Sequence, residues 1–409
     1  MSKQYEQVGK EYVMENREKY IRVGTTLHKI VCRPLISGDY VEEKILWSYE
    51  ALRQDYGKNN LPAIEKYDGF CIIPSHVHYK QVYGTYLNQY EPINHSPCEG
   101  EFPHIRKFLE HIFEEQIELG LDYLQILYKE PTQMLPIILL VSNERGTGKT
   151  TFLRFLKMIF GKNATFNTNE DFRSQFNADW ANRLLILVDE LLLSKIEDTE
   201  KIKNLSTAGD YKIEAKGKDR KEIEFFAKFI LCSNNERNPI IIPKEEIRFW
   251  VRKIKTIEQD NTSLREDMAK EIPQFLYFLL HRELSTQNES RMWFNPALLE
   301  TQALNKIKKY NSNKIEIEMA SYCLEVMERL EQKTFRCCPK DMLDVVRDAG
   351  LKTDIFQVRN ILKDTWGLSS DKNSDYTFNR IGIDGEIIPL KRKGRYLEIE
   401  KSLVEKILL

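Results

Sequence analysis

Three runs of consecutive apolar residues, each followed at once by polar residues, form the clearest pattern along the chain. They cover residues 137–141, 184–188 and 229–232. Unbroken apolar runs of this length predict strands that are buried on both faces of a parallel sheet. The polar residues behind them would then meet at the carboxyl edge of that sheet, where α/β proteins bind their ligands. The pattern therefore predicts an α/β fold with its site at these strand ends.

Other segments predict the elements on either side of this sheet. Residues 20–34 indicate a hairpin and residues 44–56 a helix, so residues 1–84 are expected to form a small α+β region. Three later segments have helical spacing: 103–116, 118–129 and 260–283. The sheet is therefore expected to have helices packed against it.

The tail of the chain predicts a separate unit. Three segments with helical spacing precede two strand-like segments: 315–330, 341–349, 354–363, 376–383 and 387–399. Asp384-Gly385 between the two strands indicates a hairpin. Three helices and a hairpin in this order are typical of a winged helix, so we assign residues 314–409 to a winged-helix-like domain. Such domains bind either DNA or proteins, and the sequence leaves both uses open.

Basic residues on this predicted domain are its candidate DNA contacts. Arg359 lies on the third helix, and Lys391, Arg392 and Lys393 lie on the hairpin. A winged helix places its third helix in the major groove and its hairpin on the phosphate backbone. We therefore predict that these four side chains contact DNA.

The first apolar run is followed by a glycine-containing loop and a helical segment. Strand, glycine loop and helix in this order predict a phosphate-binding loop of the Walker A type. Its glycines would let backbone N–H groups surround a phosphate chain, Lys149 would contact the β- and γ-phosphates, and Thr150 would hold Mg²⁺. The predicted cofactors are ATP and Mg²⁺. The predicted nucleotide contacts are Asn143, Gly146, Thr147, Gly148, Lys149, Thr150 and Thr151.

Two side chains of this loop carry specific expectations. The usual pattern has glycine at the position of Asn143. Asparagine tolerates a left-handed backbone better than most residues, so we expect the substitution to weaken the pattern only slightly. We expect Lys149 to be a surface-facing charge whose loss costs little stability.

The second apolar run ends in two acids, Asp189 and Glu190. Carboxylates at the end of a buried parallel strand suit a magnesium-dependent hydrolase. We predict that Asp189 holds Mg²⁺ through water and that Glu190 polarises the water that attacks the γ-phosphate. A core strand that runs into a solvated turn is the alternative, and the glycine loop upstream makes it the weaker one.

The third apolar run leads to Asn234, and an apolar strand that begins after Arg248 follows it. We predict that Asn234 orients the attacking water or senses the γ-phosphate, although an Asn-Asn pair is also typical of a turn. Arg248 would stabilise transition-state charge on a neighbouring subunit's γ-phosphate, as an arginine finger does. Arg252 is a rival for that role, and a structural salt bridge is the alternative for both arginines.

Together these motifs resemble those of superfamily 3 helicases, the ring ATPases encoded by viruses, phages and plasmids. The likeness is to the helicase part of phage and plasmid primase–helicase proteins, of the D5-like type. The shared features are a GTGK loop, a strand ending in Asp-Glu, a Gly-Asp…Lys-Gly segment, a strand ending in Ser-Asn-Asn and an Arg-Phe strand. The likeness covers residues 85–260. It departs from the family where a second arginine is often found and this chain has Ile247.

The resemblance implies a domain organisation and an assembly. It implies an AAA+-like P-loop ATPase core at residues 131–285 and a helical, collar-like module at residues 85–130 through which subunits associate. The apolar faces of that module are equally consistent with plain core. The resemblance further implies a homo-oligomeric ring, a hexamer, that moves 3′ to 5′ on single-stranded DNA.

A basic segment lies between the second and third strand ends. Alternating side chains at residues 211–215 indicate a short hairpin arm, and Lys216 and Lys218 lie near its tip. Basic tips near the axis of a ring would hold the phosphates of a single strand without contacting the bases. A solvated lysine-rich turn is the alternative. We predict that Lys216 and Lys218 contact DNA.

Composition bounds the remaining classes of protein. The chain has 409 residues, 42% hydrophobic and 30% charged, with a net charge of −1. It has room for two or three domains, and any DNA-binding surface must be local. No apolar run approaches the roughly 18 residues of a membrane helix, and the amino terminus has no secretory segment. The seven cysteines lack zinc-ligand spacing, so we expect free thiols in the reducing cytoplasm of a bacterial host cell.

The expected function is that of an ATP-dependent DNA helicase for replication of a phage, plasmid or other mobile element. Single-stranded and forked DNA, and a separate primase or polymerase, are the expected partners. A nucleic-acid-sensing P-loop NTPase switch would need no basic hairpin, and a non-catalytic origin-binding ATPase would need no Glu190. A P-loop kinase is disfavoured because no acceptor-binding lid is recognisable.

Overall fold

The structure is a computed structural model that describes residues 19–34, 36, 40–174, 177, 180–193, 195–213, 221–257, 261–370, 373–382 and 384–408. Within these ranges the chain is a mixed α/β protein built around one parallel sheet. No helix in these ranges is long and apolar enough to cross a membrane.

The amino-terminal region is a four-stranded sheet with one packed helix. Its elements are β1 (Lys19–Val23), β2 (Thr26–Pro34), β3 (Tyr40–Trp47), α1 (Tyr49–Tyr56) and β4 (Ile64–Tyr67), in the sheet order β3-β2-β1-β4. The hairpin predicted over 20–34 is confirmed. The helix predicted over 44–56 is wrong in its first part, because residues 40–47 pair with β2 along their whole length. Ser48 then caps α1, its Oγ accepting the N–H of Ala51 at 3.0 Å.

A small second sheet and two helices connect this region to the central part of the chain. The elements are β5 (Gly69–Cys71), β6 (Val82–Tyr83), β7 (Tyr86–Asn88), α2 (Pro103–Phe113) and α3 (Ile117–Lys129). A short 3₁₀ turn separates the two helices. Both predicted helices are therefore confirmed.

The central part contains the parallel sheet. Its elements are β8 (Ile137–Val141), α4 (Lys149–Phe160), β9 (Ala164–Asn167), β10 (Leu185–Val188), α5 (Ile196–Ser206), β11 (Asp210–Ile213), β12 (Lys221–Glu224), β13 (Lys228–Ser233), β14 (Phe249–Lys253) and α6 (Leu264–His281). The sheet order is β14-β8-β13-β10-β9, and every neighbouring pair is parallel. The three apolar runs form β8, β10 and β13, and their carboxyl ends share one edge of the sheet.

Strand β8 is buried on both of its faces. Ile138 and Leu140 belong to the core formed with α2, α3, α4 and α6. Ile137, Leu139 and Val141 belong to a second core on the opposite face. Because successive side chains of a strand point to opposite faces, a strand covered on both sides has no polar position. This double burial explains the unbroken apolar run.

A long helix, α7 (Gln302–Arg329), runs from the central part into the tail. Leu304 and Ile307 in its first turns belong to the second central core. Met319 and Val326 in its later turns belong to a separate core of tail residues. The helix therefore connects two hydrophobic cores.

The tail combines short helices with antiparallel strands. Its elements are β15 (Thr334–Cys337), α8 (Pro339–Asp348), α9 (Ile355–Asn360) with a following π-helical turn, β16 (Asn373–Ile381), β17 (Ile387–Arg395), β18 (Leu397–Glu400) and α10 (Lys401–Leu408). β16 and β17 form the predicted hairpin. The single strand predicted over 387–399 is wrong, because residues 397–400 leave the hairpin and pair with β15 instead.

His76 anchors the segment before β6 to the central part. Its Nδ1 lies 2.7 Å from the backbone oxygen of Tyr128, and its Nε2 lies 2.6 Å from the hydroxyl of Tyr90. Its ring also stacks on that of Tyr128. Burial lowers the pKa of His76 to about 4, the Tyr128 carbonyl opposes this shift, and the nearby Lys228 charge adds to it. His76 is therefore a neutral structural residue near neutral pH.

The low pKa of His76 predicts a loss of stability in mild acid. The unfolded chain takes up a proton near pH 6.5 and the folded chain only near pH 4, so the free energy of unfolding falls as pH falls through that window. The loss attributable to His76 is at most about 3 kcal/mol. Urea unfolding at pH 7 and pH 4.5 measures it. His76→Gln should show a smaller pH effect than the parent, whereas His78→Gln, at an exposed histidine two residues on, should match the parent. An unchanged pH effect in His76→Gln would contradict this assignment.

Candidate nucleotide site and nucleic-acid contacts

The loop between β8 and α4 turns through two glycines in the left-handed region. The φ angles are 67° at Gly146 and 87° at Gly148. A Cβ on Gly148 would come within 3.1 Å of the Phe108 ring and 3.2 Å of Ile257. Backbone conformation and close packing therefore both require glycine at position 148.

This turn leaves backbone donors open toward the carboxyl edge of the sheet. In the described part of the chain, no protein acceptor receives the N–H groups of residues 146–149. These groups lie at the amino end of α4, where unpaired N–H groups and the helix dipole favour anions. The loop geometry therefore fits a phosphate chain.

Lys149 is the first residue of α4 and curls back over the loop. Its Nζ donates to Thr147 Oγ1 at 3.0 Å and lies 3.5 Å from the backbone oxygens of Ser142 and Glu144. The residue is only 6% exposed, so the expectation of a surface-facing charge is wrong. Burial lowers its pKa, and the nearby Cys232, Asp189 and Glu236 oppose that shift.

Asn143 is not in the left-handed conformation that the sequence suggested. Instead, its backbone N–H donates to Glu236 Oε1 at 3.0 Å, and its side-chain Oδ1 accepts the Glu236 N–H at 3.2 Å. Burial raises the pKa of Glu236, but the Asn143 N–H and the Lys253 ammonium at 3.0 Å outweigh burial and lower the pKa. An asparagine in place of the usual glycine thus ties the loop to the turn after β13.

Thr150 and Asp189 bring two oxygen groups together from distant parts of the sequence. Thr150 Oγ1 donates to Asp189 Oδ2 at 2.7 Å, and Asp189 directly follows β10. Hydroxyl and carboxylate oxygens suit Mg²⁺, which usually completes its shell with water and substrate phosphates. The described residues contain no group of three His, Cys, Asp or Glu side chains that could hold a metal alone. A magnesium ion here would take its further ligands from water and substrate phosphates. Thr151 follows on α4 in the same turn.

Glu190 adopts a strained backbone at the end of β10. Its φ is +56°, which is uncommon outside glycine. Asn169 braces this turn, because its Nδ2 donates to the Glu190 carbonyl at 3.2 Å and its Oδ1 accepts the Leu192 N–H at 3.1 Å. The strained turn leaves the Glu190 side chain exposed beside Asp189. Strain of this kind is concentrated at functional sites.

Asn234 follows β13 and lies next to the loop. The Ser142 N–H donates to the Ser233 carbonyl at 3.2 Å, which brings the end of β13 against the start of the loop. Asn234 is exposed there, whereas Asn235 accepts the N–H groups of Arg237 and Asn238 and shapes a turn. Of the two amides, Asn235 is thus the turn former and Asn234 is the one left available at the edge.

Arg248 lies at the opposite edge of the sheet. It precedes β14, and its backbone oxygen accepts the N–H of Ile137, the first residue of β8. Its Nη1 is 3.1 Å from Glu246 Oε2, and its side chain is 32% exposed. Five residues of β8 separate this edge from the glycine loop, which amounts to roughly 17 Å. Arg248 therefore lies too far from the glycine loop to contact a nucleotide that the same chain holds there.

Arg252 is held inside the protein. It is 4% exposed, and its guanidinium contacts Glu115 Oε1 at 2.6 Å and Gln116 Oε1 at 2.9 Å. Glu114 Oε2 lies 3.5 Å away. These contacts tie β14 to the turn between α2 and α3, which matches the structural salt bridge that the sequence left open.

The predicted hairpin arm has described stems and a tip outside the described residues. β11 pairs antiparallel with β12 from Asp210↔Glu224 to Ile213↔Lys221. The candidate DNA contacts Lys216 and Lys218 belong to residues 214–220, which lie outside the described ranges. The hairpin itself stands where the sequence predicted it.

The basic residues of the tail divide between two environments. Arg359 on α9 is exposed, as are Lys391 and Lys393 on β17. Arg392 is instead turned toward the tail core, where it pairs with the fully buried Asp341 and lies 5.2 Å from the Phe378 ring centroid. A strand alternates its faces, so three adjacent residues cannot share one surface.

Three residues that support the site were not found from the sequence: His111, Asn169 and Glu236. His111 Nε2 lies 3.0 Å from the Thr147 carbonyl and so fixes the loop from α2. Each residue is far from the loop in sequence and acts through a backbone group. No spacing pattern in the sequence indicates such a contact. For Glu236 alone, its place just after the Ser-Asn-Asn strand end was a usable hint.

Part of the chain matches a protein family, and most of the chain resembles known structures in fold. Residues 140–249 match a family of unknown function, DUF5906. The apo structure of NrS-1 C terminal region is 15% identical, with a TM-score of 0.57, over 92% of this chain and 95% of that chain. The A form apo structure of the same region is 16% identical, with a TM-score of 0.55, over 91% and 95%. At these identities the likeness is one of fold. None of the curated proteins matches the chain.

A JCV helicase structure is also similar over 57% of this chain and 67% of that chain, at 15% identity. Its TM-score of 0.28 is too low to support a structural argument. The family match covers the glycine loop, both acids, Asn234 and Arg248, which are the residues that carry the motif resemblance. The fold likeness extends beyond the match to most of the chain. Residues 140–249 therefore match the DUF5906 family model, and most of the chain shares the fold of the NrS-1 C terminal region.

Proposed function

We propose that the chain is an ATP-dependent DNA helicase that works as a hexameric ring in the replication of a phage, plasmid or other mobile element. One observation carries the proposal. The glycine loop, the Thr150–Asp189 pair, Glu190 and Asn234 converge on one edge of the sheet, while Arg248 lies at the other. Such a division suits a nucleotide bound between two subunits.

The proposed nucleotide contacts follow from the open donors of the loop. The N–H groups of residues 146–149 and the Lys149 ammonium would bind the β- and γ-phosphates of ATP. Thr150 and Asp189 would hold Mg²⁺, which offsets phosphate charge when bound. Glu190 would accept a proton from the attacking water, and Asn234 would orient that water. The fit rests on the 2.7 Å Thr150–Asp189 contact and on the half-buried Asp189 and exposed Glu190 at the same edge.

The proposed assembly of several subunits is supported by the position of Arg248. Because roughly 17 Å of strand separates it from the loop of its own subunit, its proposed target is a neighbour's nucleotide. Its pairing with Glu246 leaves it partly exposed, so it can be offered to another chain. Residues 85–130 are the proposed collar, around the ATPase core at residues 131–285.

The proposed DNA contacts are the hairpin tip, with Lys216 and Lys218, and the tail at residues 314–409, with Arg359, Lys391 and Lys393. Arg392 is left out because Asp341 already holds it. Single-stranded and forked DNA are the proposed substrates, a separate primase or polymerase is the proposed partner, and the bacterial host cytoplasm is the proposed location. Residues 1–84 have no assigned role.

Removal of the Lys149 charge tests the nucleotide site. Lys149→Ala should lower ATP hydrolysis by at least about 100-fold, because it removes a charge that contacts the transferring phosphate. Arg154→Ala removes the same charge from an exposed position on the same helix and should hydrolyse ATP like the parent. Unfolding temperatures of both variants are needed, since Lys149 is buried. Near-normal hydrolysis in a folded Lys149→Ala would refute the nucleotide assignment.

Substitutions at the two acids should have different effects. Glu190→Gln should bind ATP normally and hydrolyse it slowly. The variant keeps Thr150 and Asp189 for the metal ion and loses the carboxylate that accepts the proton. Asp189→Asn should need more Mg²⁺ for the same rate, because it weakens the oxygen pair with Thr150. A magnesium titration of hydrolysis, beside the affinity for a fluorescent ATP analogue, measures both effects. Equal loss of nucleotide affinity in the two variants would contradict the division of roles.

Mixtures of two inactive variants test whether sites are shared between subunits. Lys149→Ala mixed with Arg248→Ala should regain part of the hydrolysis rate, because some interfaces combine an intact Lys149 with a neighbour's intact Arg248. Lys149→Ala mixed with Glu190→Gln should regain none, because every subunit then carries a defect in its own part of the nucleotide site. No recovery in the first mixture, with subunit exchange demonstrated, would show that Arg248 does not act in trans.

A further inference from the structure

A large cavity in the described part of the chain lies away from the glycine loop. It has a volume of about 1630 Å³ and lies between the central part and the tail. One wall comes from the start of α5 and from residues 243–245, and the opposite wall comes from residues 350–365 of the tail. The middle of α7 lines it between them. We call this cavity the interdomain groove.

The groove carries more available positive than negative charge. Eight of its lining residues are lysine or arginine and six are aspartate or glutamate. Arg173 pairs with Asp198 at 3.1 Å, and Lys352 pairs with Glu197 across the two walls. Four exposed lysines of the groove have no acidic partner among the described residues: Lys195, Lys244, Lys309 and Lys314.

The acids that remain are mostly engaged in structure. Glu316 Oε1 accepts the indole N–H of Trp366 at 2.8 Å. Asp354 Oδ1 caps α9 by accepting the Gln357 N–H at 2.8 Å. Glu245 and Glu300 are left to face the four lysines. The lining of the groove therefore has a net positive charge, and its four exposed lysines are available to an anionic ligand.

An aromatic ring projects into the same groove. Phe356 on α9 is 68% exposed, which is unusual for an apolar ring of this size. Gln357 and Asn360, on the same helix, also line the groove and offer amide donors and acceptors. An exposed ring among lysines and amides is the combination that binds unpaired bases, which stack on the ring while lysines hold the phosphates.

We propose that the interdomain groove binds a single strand of nucleic acid, with Lys309 and Lys314 on its phosphates and Phe356 stacked on a base. The proposal rests on the proposed nucleic-acid partner of this chain but on none of the nucleotide-site residues. It places a strand between the ATPase core and the tail, apart from the hairpin arm. It also gives the exposed face of α9 a role different from insertion into a duplex.

A single strand fits the groove better than a duplex. A recognition helix enters the major groove of DNA only where it projects freely toward the duplex. Here α5 and residues 243–245 stand opposite α9, and the Lys352–Glu197 pair links the two walls. Bases in a duplex are also stacked on one another and cannot stack on Phe356. An unpaired strand has neither restriction.

The test measures binding of the full-length chain without nucleotide, so that a failure of ATP hydrolysis cannot affect it. Fluorescence anisotropy follows labelled oligo-dT and oligo-U across a range of salt concentrations, with blunt duplex DNA and polyglutamate as competitors. Lys309→Ala with Lys314→Ala should reduce the slope of log affinity against log salt by about 1.4, since each phosphate contact in a single strand contributes about 0.7. Phe356→Ala should weaken binding about ten-fold with little change in slope.

Matched controls remove two lysine charges from the tail outside the groove. Lys340→Ala with Lys406→Ala, both exposed, should keep the parent slope and affinity. Unfolding temperatures of all variants exclude loss of fold as the cause. A control that loses as much slope as the groove variant would refute the proposal. So would equal binding of the Phe356 variant, stronger competition by duplex than by single strand, or competition by polyglutamate at equal charge concentration. Comparable binding of oligo-dT and oligo-U supports a general single-strand site, and a preference between them names its natural strand.

Discussion

The parallel pairing of β8 with β13 and β14 is the constraint on which the site depends. It puts the loop after β8, Asn234 after β13 and the two acids after β10 at one edge, because parallel strands end together. The same pairing puts Arg248, which precedes β14, at the other edge. Burial of β8 on both faces makes this register costly to shift, since a slip would expose apolar side chains and unpair buried backbone groups. The proposed need for a second subunit follows from this register.

The sequence predicted the elements whose pattern is local and strong. The doubly buried strands, the helices of residues 103–129 and the hairpin stems were all predicted from it. The predictions that were wrong concern segments whose structure is determined by pairing with distant strands. β3 is a strand because β2 lies beside it, and β18 leaves the predicted hairpin because β15 is available. Neither partner is visible in the local spacing of the segment that it reorganises.

The site was predictable in its motif residues and not in their supports. Asn143 was expected to replace glycine because it tolerates a left-handed backbone. It instead forms reciprocal hydrogen bonds with Glu236, which cannot be inferred from a position in a loop. Lys149 was expected at the surface, although Thr147 and two carbonyl groups draw it over the loop. Arg392 could have been separated from Lys391 and Lys393 by strand alternation alone. The braces His111 and Asn169 act through backbone groups, for which side-chain patterns give no indication.

Strand release from a forked duplex tests most directly whether nucleotide turnover in a ring separates DNA strands. The parent chain is incubated with a fork that carries single-stranded tails and Mg²⁺, with ATP or with an ATP analogue that cannot be hydrolysed, while its mass is measured under the same conditions. We expect release of the displaced strand with ATP alone, by a species of several subunits, and no release with the analogue. Hydrolysis of ATP that is stimulated by single-stranded DNA but releases no strand would contradict the helicase assignment and favour a nucleic-acid-sensing switch.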